Sequence, residues 1–501
     1  MGKIAIPVIL FVLALAVFTY QANVVGLEFK GDESFYFQSA KQMLDTGDWV
    51  TPYYFDTPRF QKPPLFYWIV ASFFKIFGID WSSSRLPSAI SMALVVALTY
   101  VLALRFYDKS AAIMASLIMI STIATFRYAR LALPEAFFLL LLSLTIFLLL
   151  NRRYYPAYVV MGFAFLIKGP VGIILPLFIM AAYRYSMGEK GFFKEIKLVP
   201  GIVITLAIGL PWYLAMIKIH GLSYLDHIFY RETIERISGF SFGKIFYFLP
   251  VIFIFYLPWS FFLIPSMKNT VGEISQGSRP KDGAVFSLVW FLAVLIFFTF
   301  LGEKHRHYML AASVPLAIML GHYFSRLFLE RGVKRALALF VPFLLSFFIY
   351  EAVMIGMGRE IGGITAIFKD NAYNIEKSDT VAIGSHTIVP QELEISVNHP
   401  VEKFCYKWPD RRRSDQVTTE RINRVLFGDG RVAYLLIKKT DFYKHITPST
   451  KKRLTILEKG YMYSKGVGAA RIFDAMSIFT KKAFLDLFRD EVYFVTNKED
   501  I

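Results

Sequence analysis

These 501 residues contain one cysteine, Cys405, and few charges. With a single thiol no disulfide can form inside the chain, which excludes a disulfide-stapled scaffold. It leaves the compartment open, because a domain outside the cell need not carry disulfides. Charged residues make up 19% of the chain, where a soluble domain carries about 25%. Acids are scarcer than bases, 38 against 55, for a formal balance of +17. A GxSxG nucleophile elbow and a phosphate-cradling P-loop are both missing. No nucleic-acid-binding module, internal repeat or low-complexity tract is present. The stretch "GMGREIGG" (356–363) holds glycines but follows an apolar run rather than a strand, so it does not read as a dinucleotide site.

What is abundant is apolar. Hydrophobic residues reach 55%, with 50 Phe and 28 Tyr. They fall in long runs, and a spanning helix needs about 20 mostly apolar residues. Spans are predicted at 4–25, 85–106, 110–127, 134–150, 154–168, 170–185, 197–217, 243–265, 284–302, 307–329 and 335–357. The stretch 62–79 carries Lys75, several aromatics and the pair Pro63-Pro64, so it reads as an interfacial helix. Lys3 precedes an apolar stretch that is long for a signal peptide and lacks a small-residue cleavage site; it reads as an uncleaved anchor with a cytoplasmic N-terminus. The loops then facing the cytoplasm, "RFYDK" (105–109), "NRR" (151–153), "RYSMGEKGFFKEIK" (184–197), "SMKNTVGEISQGSRPKDG" (266–283) and "ERGVKR" (330–335), are basic, as the positive-inside rule asks. The excess of positive charge thus suits membrane lipids rather than nucleic acid.

After about residue 360 the apolar runs stop. "TVAIGS" (380–385), "RVAYLLIKK" (431–439) and "DEVYFVTN" (490–497) read as strands, "TTERINRVLF" (418–427) and "AMSIFTKKAFLDLF" (475–488) as helices. The expected fold class is a polytopic α-helical membrane protein plus a small α/β domain. The membrane part is 1–359 with an outer loop at 27–84, and 360–501 is an extracytoplasmic domain.

The informative residues are ionisable groups at the outer membrane face. Asp32 and Glu33 follow the first span, in "GDESFYFQSAKQML". Asp32 reads as a helix N-cap or as a fixed carboxylate for acid–base work, and the two are compatible. Lys62 precedes Pro63, which biases it to an extended conformation; it reads as a snorkelling lysine or as an anion contact. More outer cations follow: Arg127, Arg130, Lys168 in "FLIKGPVG", Arg231 and Arg236 with Glu232 in "YRETIERISG", and Lys304, His305, Arg306 and His307 in "LGEKHRHYML". So many, against the positive-inside trend, point to a bound anion such as a ligand phosphate. The i, i+2 spacing of His305 and His307 is a poor metal signature, so a divalent metal is not favoured.

In the ordered pieces "DESFYFQSAKQMLDTGDWVTPYY", "FQKPPLFYW", "RLPSAI", "IKGPVG", "GLPWYLA", "YRETIERISG", "YFLPVIFIFYLPWSFFLIP" and "EKHRHYML", the chain resembles the polyprenyl-phosphate-dependent GT-C glycosyltransferases. Within them it is similar to the aminoarabinose transferase (ArnT) group and the dolichyl-phosphate-mannose protein mannosyltransferases, over roughly residues 1–360. The resemblance implies the GT-C fold with interfacial helices, in the inner membrane, and an inverting transfer of sugar from a polyprenyl phosphate. The acceptor is lipid A, another envelope glycan or a protein. On that model Asp32 and Glu33 are catalytic, and Lys62, Arg236, Lys304, Arg306 and Tyr308 hold the donor phosphate. Glu232, Arg231, Lys168, His305 and His307 support them, and no redox cofactor is needed. The chain departs from the aminoarabinose pattern at Gln61, Phe35 and His305-Arg306, which bears on the sugar more than on the reaction. A lipid-linked sugar transporter is the reading from another class. It fits less well, because transporters gather their charges near the midplane and show repeated halves.

Overall fold

The computed structural model describes residues 2–22, 31–55, 57–189, 191–228, 245–276, 281–361, 380–383, 401–403, 426–427, 433–463 and 489–497. The chain divides into two compact units, Met1–Ala22 with Ser39–Glu351, and Asn23–Gln38 with Ala352–Ile501.

Up to residue 361 the chain is almost entirely helical. In order come α1 (Gly2–Thr19), α2 (Gly31–Thr46), α3 (Leu65–Phe77), α4 (Trp81–Phe106), α5 (Lys109–Ile120), α6 (Ile123–Ala129), α7 (Glu135–Leu150), α8 (Tyr154–Lys168) and α9 (Val171–Ser186). Then follow α10 (Phe192–Glu195), α11 (Leu198–His220), α12 (Leu222–Asp226), α13 (Phe248–Phe255), α14 (Leu263–Gln276), α15 (Lys281–Thr299), α16 (Ser313–Arg331) and α17 (Val333–Ile361). Two 3-10 turns, Trp259–Phe262 and Arg306–Ala312, precede α14 and α16. Helix starts carry the expected signals. The Asp80 carboxylate accepts from Ser83 N–H at 2.8 Å before α4, and Asp108 accepts from Ala111 N–H at 2.8 Å before α5.

This is a multi-pass membrane protein. Among the described residues four helices are long and apolar enough to cross a bilayer, and six if each of two bent pairs counts as one span. The predicted runs 110–127 and 243–265 are those bent pairs: α5 meets α6 at 61°, and α13 meets Trp259–Gln276 at 114°. Other predicted runs form shorter apolar helices, among them α7, α8 and α9. The stretch 62–79 contributes α3, whose 13 residues fall short of a span and suit an interfacial helix. The glycines of 356–361 continue α17.

Irregular backbone at membrane depth has to be satisfied inside the protein. The two breaks do this for each other. Ile123 N–H, at the start of α6, donates to Leu257 O at 3.1 Å. The Trp259 indole N–H donates to Ser121 Oγ at 3.0 Å.

Helices α5 and α16 approach closely at Gly321. A Cβ there would lie 2.6 Å from both Ala111 O and Ala115 N, which are backbone atoms and cannot move aside. Gly321→Ala is expected to destabilise the protein by about 1–3 kcal/mol through overpacking. A lowered thermal midpoint in detergent checks this, and an unchanged midpoint would show that the two helices part freely.

At the loop 184–197 Arg184 bridges Glu189 at 2.5 Å and Glu195 at 2.6 Å. The Tyr154 hydroxyl also donates to Glu195 and, with Arg184 and Arg152 beside it, holds that carboxyl below the usual carboxylate range.

The second unit contains a five-stranded sheet in the order β4-β3-β5-β7-β6. Its strands are β3 (Thr380–Ile383), β4 (Val401–Lys403), β5 (Ala433–Lys438), β6 (Thr455–Tyr463) and β7 (Arg489–Thr496), after a small hairpin of β1 (Tyr53–Tyr54) and β2 (Thr57–Pro58) in the first unit. β3 runs parallel to β4 and β5, and β7 runs antiparallel to β5 and β6. β5 is buried along nearly its whole length, as a central strand covered on both faces must be. Leu435, Ile437, Phe442, Tyr493 and Val495 form the core beside it. The three strands predicted here are present. The helix predicted at 475–488 lies outside the described residues, as does 418–427 except for Leu426 and Phe427.

Candidate active site

A helical hairpin sets the centre of the site. α7 has 16 residues and α8 has 15, joined by the turn Asn151–Arg153. Helices of equal rise bring the first residue of one back beside the last residue of the other. The first residue is Glu135 and the last is Lys168, and their charged atoms lie 3.5 Å apart. The same Glu135 oxygen faces His307 Nε2 at 3.6 Å. Glu135 is 8% exposed. A carboxylate in the first turn of α7 also sits at the positive end of the helix dipole. Lys168 lies over the Phe138 ring at 5.0 Å. Glu135 is absent from the sequence-derived site. Its signal was available: one acid in "LALPEAFFLLLLSLTIFLLL", just after a proline and otherwise surrounded by apolar residues.

His307 belongs to the segment that ends α15 and begins the second 3-10 turn. Lys304 Nζ donates to Leu301 O at 3.0 Å and to Thr299 O, so its ammonium caps the carbonyl end of α15. It also lies 5.8 Å from the Phe248 ring centroid. His305 is exposed, 3.4 Å from Glu303, and its ring stacks on His307 at 5.3 Å. Arg306 is exposed. Tyr308 stacks on Phe298 at 4.5 Å and meets the His307 ring edge-on at 4.8 Å. The structure therefore brings together Lys168, His307 and Tyr308 of the predicted residues, adds Glu135, and places Lys304 at the root of the same segment.

Lys62 is half-buried in the strap between the β1–β2 hairpin and α3. The strap is pinned on both sides. Phe60 packs against the rings of His220 at 5.0 Å, Tyr224 at 5.3 Å and His227 at 5.9 Å. Arg59 Nε donates to the Tyr67 hydroxyl at 2.8 Å. Upstream, Trp212 and Trp68 donate to the Val50 and Trp49 carbonyls at 2.8 and 2.6 Å, and Thr51 meets His220 at 2.8 Å. Asp32 and Glu33 lie in the first turn of α2, in the segment 23–38 of the second unit. Asp32 is exposed and Glu33 is fully buried. Because α2 begins at Gly31, Asp32 is inside the helix rather than its cap, and its charge faces the helix's positive end. Arg231, Glu232 and Arg236 lie outside the described residues.

The cations expected at the outer face are less available than their number suggests. Arg130, 1% exposed, donates to the carbonyls of Phe18 at 3.5 Å, Gln21 at 3.2 Å and Tyr20. Arg85, 0% exposed, donates to Ala22 O at 2.8 Å. These two guanidiniums grip the end of α1, where unpaired carbonyls attract positive charge. Arg127 differs, because its Nε is buried without a hydrogen-bond partner among the described residues. Among those residues no three His, Cys, Asp or Glu side chains gather as a metal site.

The comparisons agree with this architecture. A family model described as dolichyl-phosphate-mannose-protein mannosyltransferase matches residues 61–214. A protein of Aquifex aeolicus is 29% identical over 322 residues, 64% of this chain and 74% of its own length. An undecaprenyl phosphate-alpha-4-amino-4-deoxy-L-arabinose arabinosyl transferase of Pseudomonas fluorescens is 31% identical over 328 residues, 62% of this chain. The match spans little more than half of that relative, 57% of its length. The crystal structure of ArnT from Cupriavidus metallidurans bound to undecaprenyl phosphate has a TM-score of 0.72 and 18% identity, with 100% of this chain and 99% of that one covered. The fold is the GT-C fold of that structure. In sequence the chain is similar to the polyprenyl-phosphate-sugar glycosyltransferases, the arabinosyl transferases and the protein mannosyltransferases among them.

Proposed function

We propose that this protein moves a sugar from a polyprenyl-phosphate donor to an acceptor at the outer face of the inner membrane, with inversion at the anomeric carbon. The observation that carries the reading is the convergence of Glu135, Lys168 and His307 at helix ends, beside Lys304 and Tyr308, in a chain similar to polyprenyl-phosphate-sugar transferases. An acceptor oxygen attacks the anomeric carbon, and the bond from that carbon to the donor phosphate oxygen breaks. The electron pair leaves with the polyprenyl phosphate, and the proton of a hydroxyl acceptor passes to Asp32. Fixed cations stabilise the charge that develops on the leaving phosphate. Lys62, Arg236, Lys304 and Arg306, with the Tyr308 hydroxyl, are assigned to it. Beside lipid the low dielectric strengthens their effect. Glu33 is the second catalytic carboxylate beside Asp32; Arg231, Glu232, Lys168, His305 and His307 support these groups, and Glu135 orients Lys168 and His307. The unit holding 352–501 is assigned to the acceptor side, outside the membrane.

The acceptor we favour is a glycolipid of the envelope such as lipid A, because the arabinosyl transferases match over twice the length that the family model does. The similarity to the protein mannosyltransferases over residues 61–214 favours a protein acceptor as the second reading. The test uses the full chain in detergent or nanodiscs with a synthetic undecaprenyl-phosphate sugar and either acceptor. Release of undecaprenyl phosphate matched by a mass gain of one sugar on the acceptor is the expected result. Donor movement across vesicles without acceptor modification would reject the proposal in favour of transport. The aminoarabinose pattern carries an arginine where this chain has Phe35, and Arg306 is assigned to supply that charge. Arg306→Ala is therefore expected to raise the donor Kd about tenfold, the size of one charged hydrogen bond. Unchanged donor affinity would remove Arg306 from the site.

A further inference from the structure

We infer that Tyr256 is a positioning residue that holds the segment Lys304–Tyr308 in register with Glu135. The assignment rests on the function proposed above and names a residue that neither the sequence motifs nor the charges single out.

Tyr256 is buried at the end of α13, where the span breaks. Its hydroxyl donates to Met309 O at 2.6 Å, the residue after Tyr308, and lies 3.2 Å from Ser313 Oγ at the start of α16. At the other end of α13, Phe248 lies under Lys304 at 5.8 Å. Phe248 at the start of α13 and Tyr256 at its cap thus meet the segment at Lys304 and just past Tyr308, at Met309. The helix is itself fixed. Leu257 O accepts from Ile123 N–H at 3.1 Å, and Trp259 Nε1 donates to Ser121 Oγ at 3.0 Å, so the break after α13 is bonded to the break between α5 and α6. A 3-10 turn has poorer internal hydrogen bonds than an α-helix, so its placement depends on outside contacts. Here the outside contact falls on the carbonyl next to Tyr308, and His307 one step further back faces Glu135 at 3.6 Å. Small displacements of groups that contact a reacting phosphate are costly to catalysis.

Tyr256→Phe removes the hydroxyl and keeps the ring. Binding is measured with undecaprenyl phosphate as the probe, alongside steady-state turnover and thermal unfolding, on the full chain. The expected result is a rise in Kd, and in donor KM, of about tenfold, the size of one net hydrogen bond. Acceptor KM should stay within about twofold, and Ser313→Ala should stay within about twofold on every count, since it leaves the Met309 contact in place. A lowered unfolding temperature with unchanged Kd and donor KM would reduce Tyr256 to packing and overturn the inference. Failure of the wild-type chain to bind the probe would overturn the functional reading instead, and with it this assignment. If Tyr256→Phe does not fold, Ser121→Ala probes the far end of the brace. It is expected to raise Kd by a smaller factor, about threefold, and an unchanged Kd would overturn the inference.

Discussion

Asp32→Asn is expected to lower turnover with a hydroxyl acceptor by about 10²–10⁴-fold, the usual worth of a positioned general base, while undecaprenyl phosphate still binds. Asparagine keeps the shape and removes the basicity. Asp32 is exposed in the first turn of α2, so folding should hardly change; a surface substitution costs within about 0.5 kcal/mol, and the lost helix-end charge adds about as much. Unfolding temperature and probe binding thus separate a chemical effect from a structural one. The acceptor changes the expectation. A phosphomonoester has a second pKa of about 6 and is already ionised at neutral pH, so it has no proton to give up. Near-normal turnover with such an acceptor and lost turnover with a hydroxyl would make Asp32 a base only where one is needed. Near-normal turnover with both would end the base assignment.

Much of the fold could be read from apolar runs alone, because lipid leaves the backbone few alternatives to helix. The runs 85–106, 134–150, 154–168, 170–185 and 197–217 each became a helix with nearly the predicted bounds. The failures were physical. Run 110–127 is continuous in hydropathy yet bends at Ser121-Thr122. Both hydroxyls there turn back onto carbonyls of the preceding turn, Leu117 O and Ile118 O at 2.6 Å each, which favours bending. In 243–265 the chain turns through Leu257-Pro258, which an apolar count does not weigh. The order of strands in the sheet could not be read either, since it depends on pairings distant in sequence, such as β3 with β5.

The site was legible as a set of charges but not as a set of contacts. Lys168 and His307 were named from their position at outer helix ends, and the structure places both on Glu135. A count of cations does not show that Arg130 grips carbonyls of the α1 end, or that Lys304 is anchored on those at the end of α15; only three-dimensional proximity reveals both. Arg85 was read as part of "RLPSAI" without a role, and it serves the same end of α1. Glu135 does not stand out among positive charges. An acid entering a run of leucine and phenylalanine stands out once the cost of burying a lone carboxylate is considered.

That cost makes Glu135 a sensitive position. Glu135→Ala leaves Lys168 and His307 close together with their shared counter-charge gone. Removing one partner of a buried ion pair costs about 3–5 kcal/mol; with Lys168 16% and His307 28% exposed, water offsets part of it and the lower figure is expected. Glu135→Gln restores the shape and an acceptor oxygen without the charge, so it should recover most of the stability. Turnover separates the two roles of the carboxylate. If its charge directs Lys168 and His307 toward the donor, Glu135→Gln should still lose about 10²-fold or more in kcat, a typical loss when electrostatic preorganisation is disturbed. In a cycle with Lys168→Met, the two losses should then fail to add by about 1 kcal/mol or more, because both act through one contact. Wild-type turnover in Glu135→Gln would make the carboxylate a structural anchor, leaving the phosphate-binding cations to account for the rate.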